Sequence, residues 1–212
     1  MLLFATAALL MLLRERWFLA GVCGIAATAT RANALALVLA AGIGSLAALR
    51  ERRALRSLLA PLLTPLGYVG FVCYLKFRTG AWDAYTRTQQ EGWNQHVNPL
   101  AMITVLRRFH RTDFSDVNVT FLVVGLPVAV ALLVLLVRTH PPLPLLAYTV
   151  GILGFCLIAV DLGTRPRFIL TAFPLLYGIA RRPMLHRFLA PTLAMFGGVL
   201  TLIVIVTQLH TP

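Results

Sequence analysis

The sequence predicts an all-α fold: a polytopic transmembrane helix bundle of about eight hydrophobic segments, with an interfacial helix in a long outer loop. Three observations carry this. Of the 212 residues, 59% are hydrophobic and only 12% charged, against roughly 25% charged in a soluble domain. The mean hydropathy is +0.83. Apolar runs recur between short Arg-bearing breaks, at 1–13, 17–30, 32–49, 57–75, 119–137, 143–162, 168–180 and 188–208. Strand-like alternation of polarity is absent from these runs, and in lipid a helix satisfies its own backbone groups, so the spanning elements are helices.

A hydrocarbon core of about 30 Å needs about 20 helical residues. The runs at 32–49, 57–75, 119–137, 143–162 and 188–208 approach that length. Those at 1–13, 17–30 and 168–180 do not, and the last two are expected to tilt or turn back. Pro61, Pro65, Pro127, Pro144, Pro174 and Pro191 fall inside runs and predict kinked or broken helices, tolerated where neighbouring helices satisfy the freed groups. "MLLFATAALLMLLRER" carries its basic residues after the apolar stretch, the reverse of a secretory signal. It reads as a short first helix, or as the remnant of a longer protein. Residues 1–212 form one transmembrane domain, with 76–118 as an extracytoplasmic loop.

The net charge of +12 would suggest nucleic acid in a soluble protein. Here the basic residues sit between spans and set topology, so no nucleic-acid partner is expected. If every run crosses, Arg14, Arg16, Arg50, Arg52, Arg53, Arg56, Arg138, Arg181, Arg182 and Arg187 share one face. The compact clusters "RERRALR" and "RRPMLHR" mark that face as cytoplasmic. Cys23, Cys73 and Cys156 lie within apolar runs without metal-ligand spacing and read as packing residues. No metal or cofactor is implied.

In the loop, Trp82, Tyr85, Gln89 and Trp93 recur at helical steps, as do Asp83, Arg87 and Glu91. On a helix these become an aromatic stripe beside a charged one, suited to lie at the headgroup level. Contact of Gln89, Gln90, Glu91 or Trp93 with a substrate is compatible with that placement. His96 and His110 share the loop and read as interfacial polar residues rather than ligands. On the same outer face stand Arg31, between two apolar runs, and Arg165 and Arg167, after Asp161. A guanidinium fork binds phosphate bidentately. Alternatively, Arg167 snorkels and Arg165 pairs with Asp161.

Three segments carry a resemblance. "ATATRANALALVLA" is similar to the T-R-P-x-G-x-x-L segment of bacterial PIG-V-type mannosyltransferases, membrane enzymes of the GT-C class. "KFRTGAWDAYTRTQQEGW" resembles that family's R-x-G-D-x-x-A-x-x-x-A-Q-x-x-W region, and "RPRFILTAFPLL" its R-x-R-[FY]-x-L-x-x-F-P-L ending. The resemblance implies a glycosyltransferase that takes mannose from a polyprenyl-phosphate donor and gives it to a lipid or glycan acceptor on the outer face of a bacterial plasma membrane. Arg31 matches the first motif, Gln90 and Trp93 the second, and Arg165, Arg167 and Phe168 the third. By their chemistry these are the substrate-binding candidates, and the clamp on the donor phosphate falls to Arg31, Arg165 and Arg167.

The chain also departs from the pattern. Ala32 and Ala34 replace Pro and Gly, and Thr171 stands where Pro is common. The family's acidic W-D-x-x-x-Y-like segment belongs in an early outer loop, and "WDAY" at 82–85 comes too late to match it. The catalytic residue is therefore unknown, and the sequence reads as lacking the N-terminal part of such an enzyme. Two rivals follow: a non-catalytic integral membrane protein that binds lipid or a partner subunit, and, ranked last, a small-solute transporter with broken helices.

The topology makes a direct prediction. Cysteines introduced at positions 31 and 167 should react with an impermeant maleimide from the same side of the membrane; labelling from opposite sides overturns the convergence of these arginines.

Overall fold

A computed structural model describes residues 1–52, 54–93, 117–158 and 171–181, with scattered positions between 187 and 198. All regular structure among the described residues is helical, and no strand occurs among them. Helices α1 (Leu2–Leu13) and α2 (Trp17–Thr30) form a hairpin. In its tight turn Glu15 takes the left-handed conformation, φ 56°, uncommon for a residue with a side chain. At the far end of α2, Arg31 is extended and leads through a 3-10 turn, Ala32–Leu35, into α3 (Ala36–Arg52).

The next apolar run becomes a 3-10 turn, Leu55–Leu58, then α4 (Leu59–Leu63) and α5 (Leu66–Thr79). The break between α4 and α5 falls at Thr64 and Pro65, where the proline ring displaces a backbone hydrogen bond. Pro61 sits within α4 and Pro144 at the second position of its helix, while Pro127 lies inside a helix that continues through it. Helix α5 runs on to Thr79, past the expected start of the loop at 76, and ends at Gly80. Gly80 has φ 77° and its N–H donates to the Lys76 carbonyl at 2.9 Å, a left-handed stop that glycine adopts without a Cβ clash. Then come α6 (Ala84–Trp93), α7 (Val117–Arg138), α8 (Leu143–Ile158) and α9 (Leu175–Ala180).

The seventh run, expected at 168–180, is helical only in α9 among its described residues. Before α9 the chain is tied sideways instead. The Tyr148 hydroxyl of α8 donates to the Thr171 carbonyl at 3.1 Å, and its ring packs on Phe173 at 5.6 Å. This satisfies the phenol of a fully buried side chain.

The core is built of small residues. Ala5, Ala8, Ala27, Ala36, Ala40 and Ala41 are buried where α1, α2 and α3 meet, with Leu9, Leu37 and Ile152 as the larger fillers. α3 packs on α8, α2 on α4 and α5, and α9 on α7. Many other large apolar side chains point the other way. Leu39, Ile43 and Leu46 of α3, Leu62, Leu66 and Val69 of α4 and α5, and Val130, Val134 and Val137 of α7 are all exposed. Each set follows the i, i+4, i+7 rows of a helix, so each is one continuous apolar stripe.

Two stretches, Ala32–Glu51 and Leu55–Thr79, are long and apolar enough to cross a membrane. Of the most apolar 18-residue window of the second, 17% is buried, against 39% for the first.

The closest approach joins α2 to the α4–α5 corner. A Cβ on Gly67 would overlap the Ile25 carbonyl oxygen and Thr28 Oγ1, so the two backbones touch. Beside it the buried Thr28 hydroxyl donates to the Thr64 carbonyl at 2.7 Å, and the Thr64 hydroxyl to Ala60 O at 2.7 Å. Small residues that admit backbone contact, joined by a hydroxyl hydrogen bond, are how helices associate without a hydrophobic driving force. At the opposite end, Ser45 donates to Ser57 O at 2.6 Å and Ser57 to Ser45 O at 3.3 Å, closing the corner between α3 and α4.

This contact predicts a contrast within one helix. Gly67→Ala overpacks a backbone contact and should lose about 1–3 kcal/mol, whereas a Cβ at Gly70 meets nothing within 4 Å and Gly70→Ala should be neutral or better. Unfolding of the two variants in mild detergent measures the difference, and equal stabilities would dismiss the contact.

Candidate functional site

The C-terminal end of α2 packs against the first turn of α5, and the short helix α6 docks on α5 just beyond that contact. Arg31 ends α2 because the chain must reverse there. Its N–H donates weakly to Ala27 O at 3.4 Å, its carbonyl accepts from the Ala34 N–H at 3.0 Å, and the Thr30 hydroxyl takes Ala27 O at 2.6 Å. Ala32 and Ala34, where the resembling family has Pro and Gly, form the 3-10 turn, with Ala34 fully buried. The turn is thus held by burial, and the Arg31 side chain is left exposed.

Helix α6 begins at Ala84, so Trp82 and Asp83 lie in the preceding turn and only the later part of the expected stripes is helical. Asp83 starts the helix: its carbonyl accepts from the Arg87 N–H at 2.8 Å and the Thr86 hydroxyl at 3.0 Å. Its carboxylate pairs with Arg87, Oδ2 to Nη2 at 2.9 Å and to Nε at 3.0 Å. Lys76 Nζ stands 5.5 Å over the Trp82 ring and donates to the Gly80 carbonyl, folding the turn back on α5. Trp82 itself is exposed.

What docks α6 is Tyr85. Its ring meets Tyr68 at 6.0 Å and Phe71 at 5.9 Å, both edge to face, a geometry worth about 0.5–1.5 kcal/mol per pair beyond area burial. Burial pushes the Tyr85 phenol above its ordinary 10.0; the Tyr68 phenol adds to the rise, and the Arg31 guanidinium pulls it back. Because α2 meets Gly67 just before Arg31 and Tyr85 sits on the adjoining Tyr68, these two sequence motifs share one end of the described structure.

The other candidates divide. Gln89 lies half-buried on the Tyr85 side of α6, while Gln90 and Glu91 are exposed. Trp93 is the last residue of α6, and its side chain lies outside the described residues, as do Arg165, Arg167, Phe168, His96 and His110. Among the described residues no three His, Cys, Asp or Glu converge to hold a metal. Cys23 and Cys73 are free thiols. Tyr68 is the member that sequence reasoning missed. It is hidden in the run 57–75, although its three-residue spacing to Phe71 offers one aromatic face just before the loop.

The electrostatic link is testable by titration. The raised value favours the neutral phenol in the folded chain, so Tyr85 contributes stability below the ordinary phenol range and loses it as pH rises through the folded value. Arg31→Ala should move the Tyr85 titration further up, and Arg31→Lys should leave it close to wild type. A tyrosine carbon-13 resonance followed against pH in micelles reads this, and an unmoved titration in Arg31→Ala would separate the two residues.

No family model, curated protein sequence or solved structure matches the chain.

Proposed function

We propose that the chain is a multi-pass bundle of about eight spans in a bacterial plasma membrane, acting in mannosyl transfer from a polyprenyl-phosphate donor to a lipid or glycan acceptor at the outer face. The membrane part is supported by the stretches Ala32–Glu51 and Leu55–Thr79 and by the exposed apolar stripes on α3, α5 and α7. Contiguous apolar surface of that extent is a liability in water and the ordinary surface in lipid. The basic ends at Arg14, Arg16, Arg50 and Arg56 orient toward the cytoplasm, opposite Arg31.

The single observation that carries the transfer reading is a juxtaposition: α2 meets Gly67 just before it ends at Arg31, and Tyr85 docks on the adjoining Tyr68. It unites the T-R segment with the Trp-Asp-Ala-Tyr segment at one membrane boundary. In an inverting transfer the acceptor oxygen attacks the sugar's anomeric carbon as the bond to the donor phosphate breaks. The acceptor proton goes to a carboxylate, and the departing polyprenyl phosphate keeps the electron pair. A guanidinium stabilises that developing charge. We assign the second task to Arg31, which is exposed at the end of α2, with Arg165 and Arg167 joining it on the strength of the sequence.

The first task has no assigned residue. Asp83, the acid of "WDAY", is committed to Arg87. The second reading is a non-catalytic membrane protein that uses the same surface to bind a lipid or a partner subunit, and the absence of the family's early acidic segment from the sequence supports it.

Transfer of radiolabelled mannose from a polyprenyl-phosphate donor by the purified chain decides between the two. Activity is expected to fall by on the order of 10- to 100-fold in donor kcat/KM for Arg31→Ala, the loss of one charge-assisted hydrogen bond. Donor binding without transfer would select lipid binding under the second reading, and neither binding nor transfer would reject the transfer reading and leave only a partner-subunit role.

A further inference from the structure

The opposite end of the bundle carries a groove that the transfer reading does not use. It opens between the α1–α2 turn and the 3-10 turn before α4, and Arg16, Trp17, Phe18, Leu19, Arg56 and Leu59 line it. Glu15 also borders it and is engaged in an interaction of its own. Arg16 and Arg56 are both exposed, and among the described residues neither is ion-paired. Trp17 is rooted against the core, so it forms a fixed wall rather than a loose cover.

Two features define what fits. The groove holds about 220 Å³, below the roughly 300–1,000 Å³ that engulfs a small molecule, so it can seat a headgroup but not a whole ligand. Its apolar side does not end at Leu59. Leu55 and Leu58 of the 3-10 turn and Leu62 of α4 follow at i, i+3 and i+7, all exposed, making an apolar track beside the two guanidiniums. An anion at the arginines with hydrocarbon along the leucines is the outline of a phospholipid.

We infer that Arg16 and Arg56 form a headgroup site for an anionic phospholipid of the cytoplasmic leaflet, with its acyl chains on the Leu55–Leu58–Leu62 face. The guanidiniums hold the phosphodiester, Trp17 borders the glycerol level, and the basic neighbours Arg14 and Arg50 raise the local potential for anions. The inference rests on the membrane reading and not on the transfer reading.

The test uses the full chain with Trp82→Phe and Trp93→Phe, which leaves Trp17 alone of the 3 tryptophans. It is reconstituted in phosphatidylcholine vesicles containing a minor share of phosphatidylglycerol, and either lipid is brominated in turn. Brominated phosphatidylglycerol should quench Trp17 with a relative association about tenfold above that of brominated phosphatidylcholine. Arg16→Gln with Arg56→Gln should bring the preference to near unity, Arg16→Lys with Arg56→Lys should keep most of it, and Arg138→Gln, on the same end outside the groove, should keep all of it.

Equal quenching by the two lipids in the unaltered groove overturns the site while leaving the membrane reading intact, and needs no groove variant to fold. Quenching by neither lipid sinks both. A preference lost as readily with Arg138→Gln overturns the site in favour of general surface charge. Abolition by free inorganic phosphate at unchanged ionic strength assigns the arginines to a phosphate ion and removes the lipid.

Discussion

The fold depends on the backbone contact between α2 and the α4–α5 corner. Gly67 against Ile25 and Thr28, with the Thr28 hydroxyl on the Thr64 carbonyl, fixes how far α5 can slide or turn against α2. Everything at the outer end follows from that registration. It sets the level of Arg31 at the end of α2 relative to Tyr68 and Phe71 on α5, and Tyr85 then brings α6 to the same level. A bulkier residue at the contact would change the separation of α2 from α5 and so the position of Arg31 relative to the docked helix. Packing, rather than any loop, is what positions the candidate site.

The division of side chains fits the same logic. Where helices touch, alanine, glycine and hydroxyl residues allow close approach, and dispersion and hydrogen bonds hold the contact. Where they face outward, leucine and valine form stripes that gain nothing from water. The pairs Thr28 with Thr64, Ser45 with Ser57, and Tyr148 with Thr171 give the interior its directional bonds, each closing a buried polar group.

Much of the helical layout is legible in the sequence, because runs bounded by arginine are also bounded helices: α2 stops at Thr30 because Arg31 follows, and α3 ends at Arg52 within "RERR". The aromatic spacing around Tyr85 likewise announces a helix. What the sequence does not disclose is where that helix begins, since Asp83 and Trp82 fit the period but are claimed by the turn, through Arg87 and Lys76 respectively. Nor does periodicity separate Gln89, turned inward, from Gln90, exposed. The start of α9 was hidden for a different reason: the bond from Tyr148 to Thr171 joins positions 23 residues apart, and local pattern carries no information about such a pairing.

The hairpin of α1 and α2 has a consequence for the surrounding lipid. At 12 and 14 residues these helices are about 18 and 21 Å long, well short of a hydrocarbon core of about 30 Å. In the membrane placement we propose, neighbouring lipids would meet this hydrophobic mismatch by thinning the bilayer around the hairpin. The two leaflets would draw together at that corner, leaving a long-chain amphiphile less hydrocarbon to cross there than beside a helix of full spanning length.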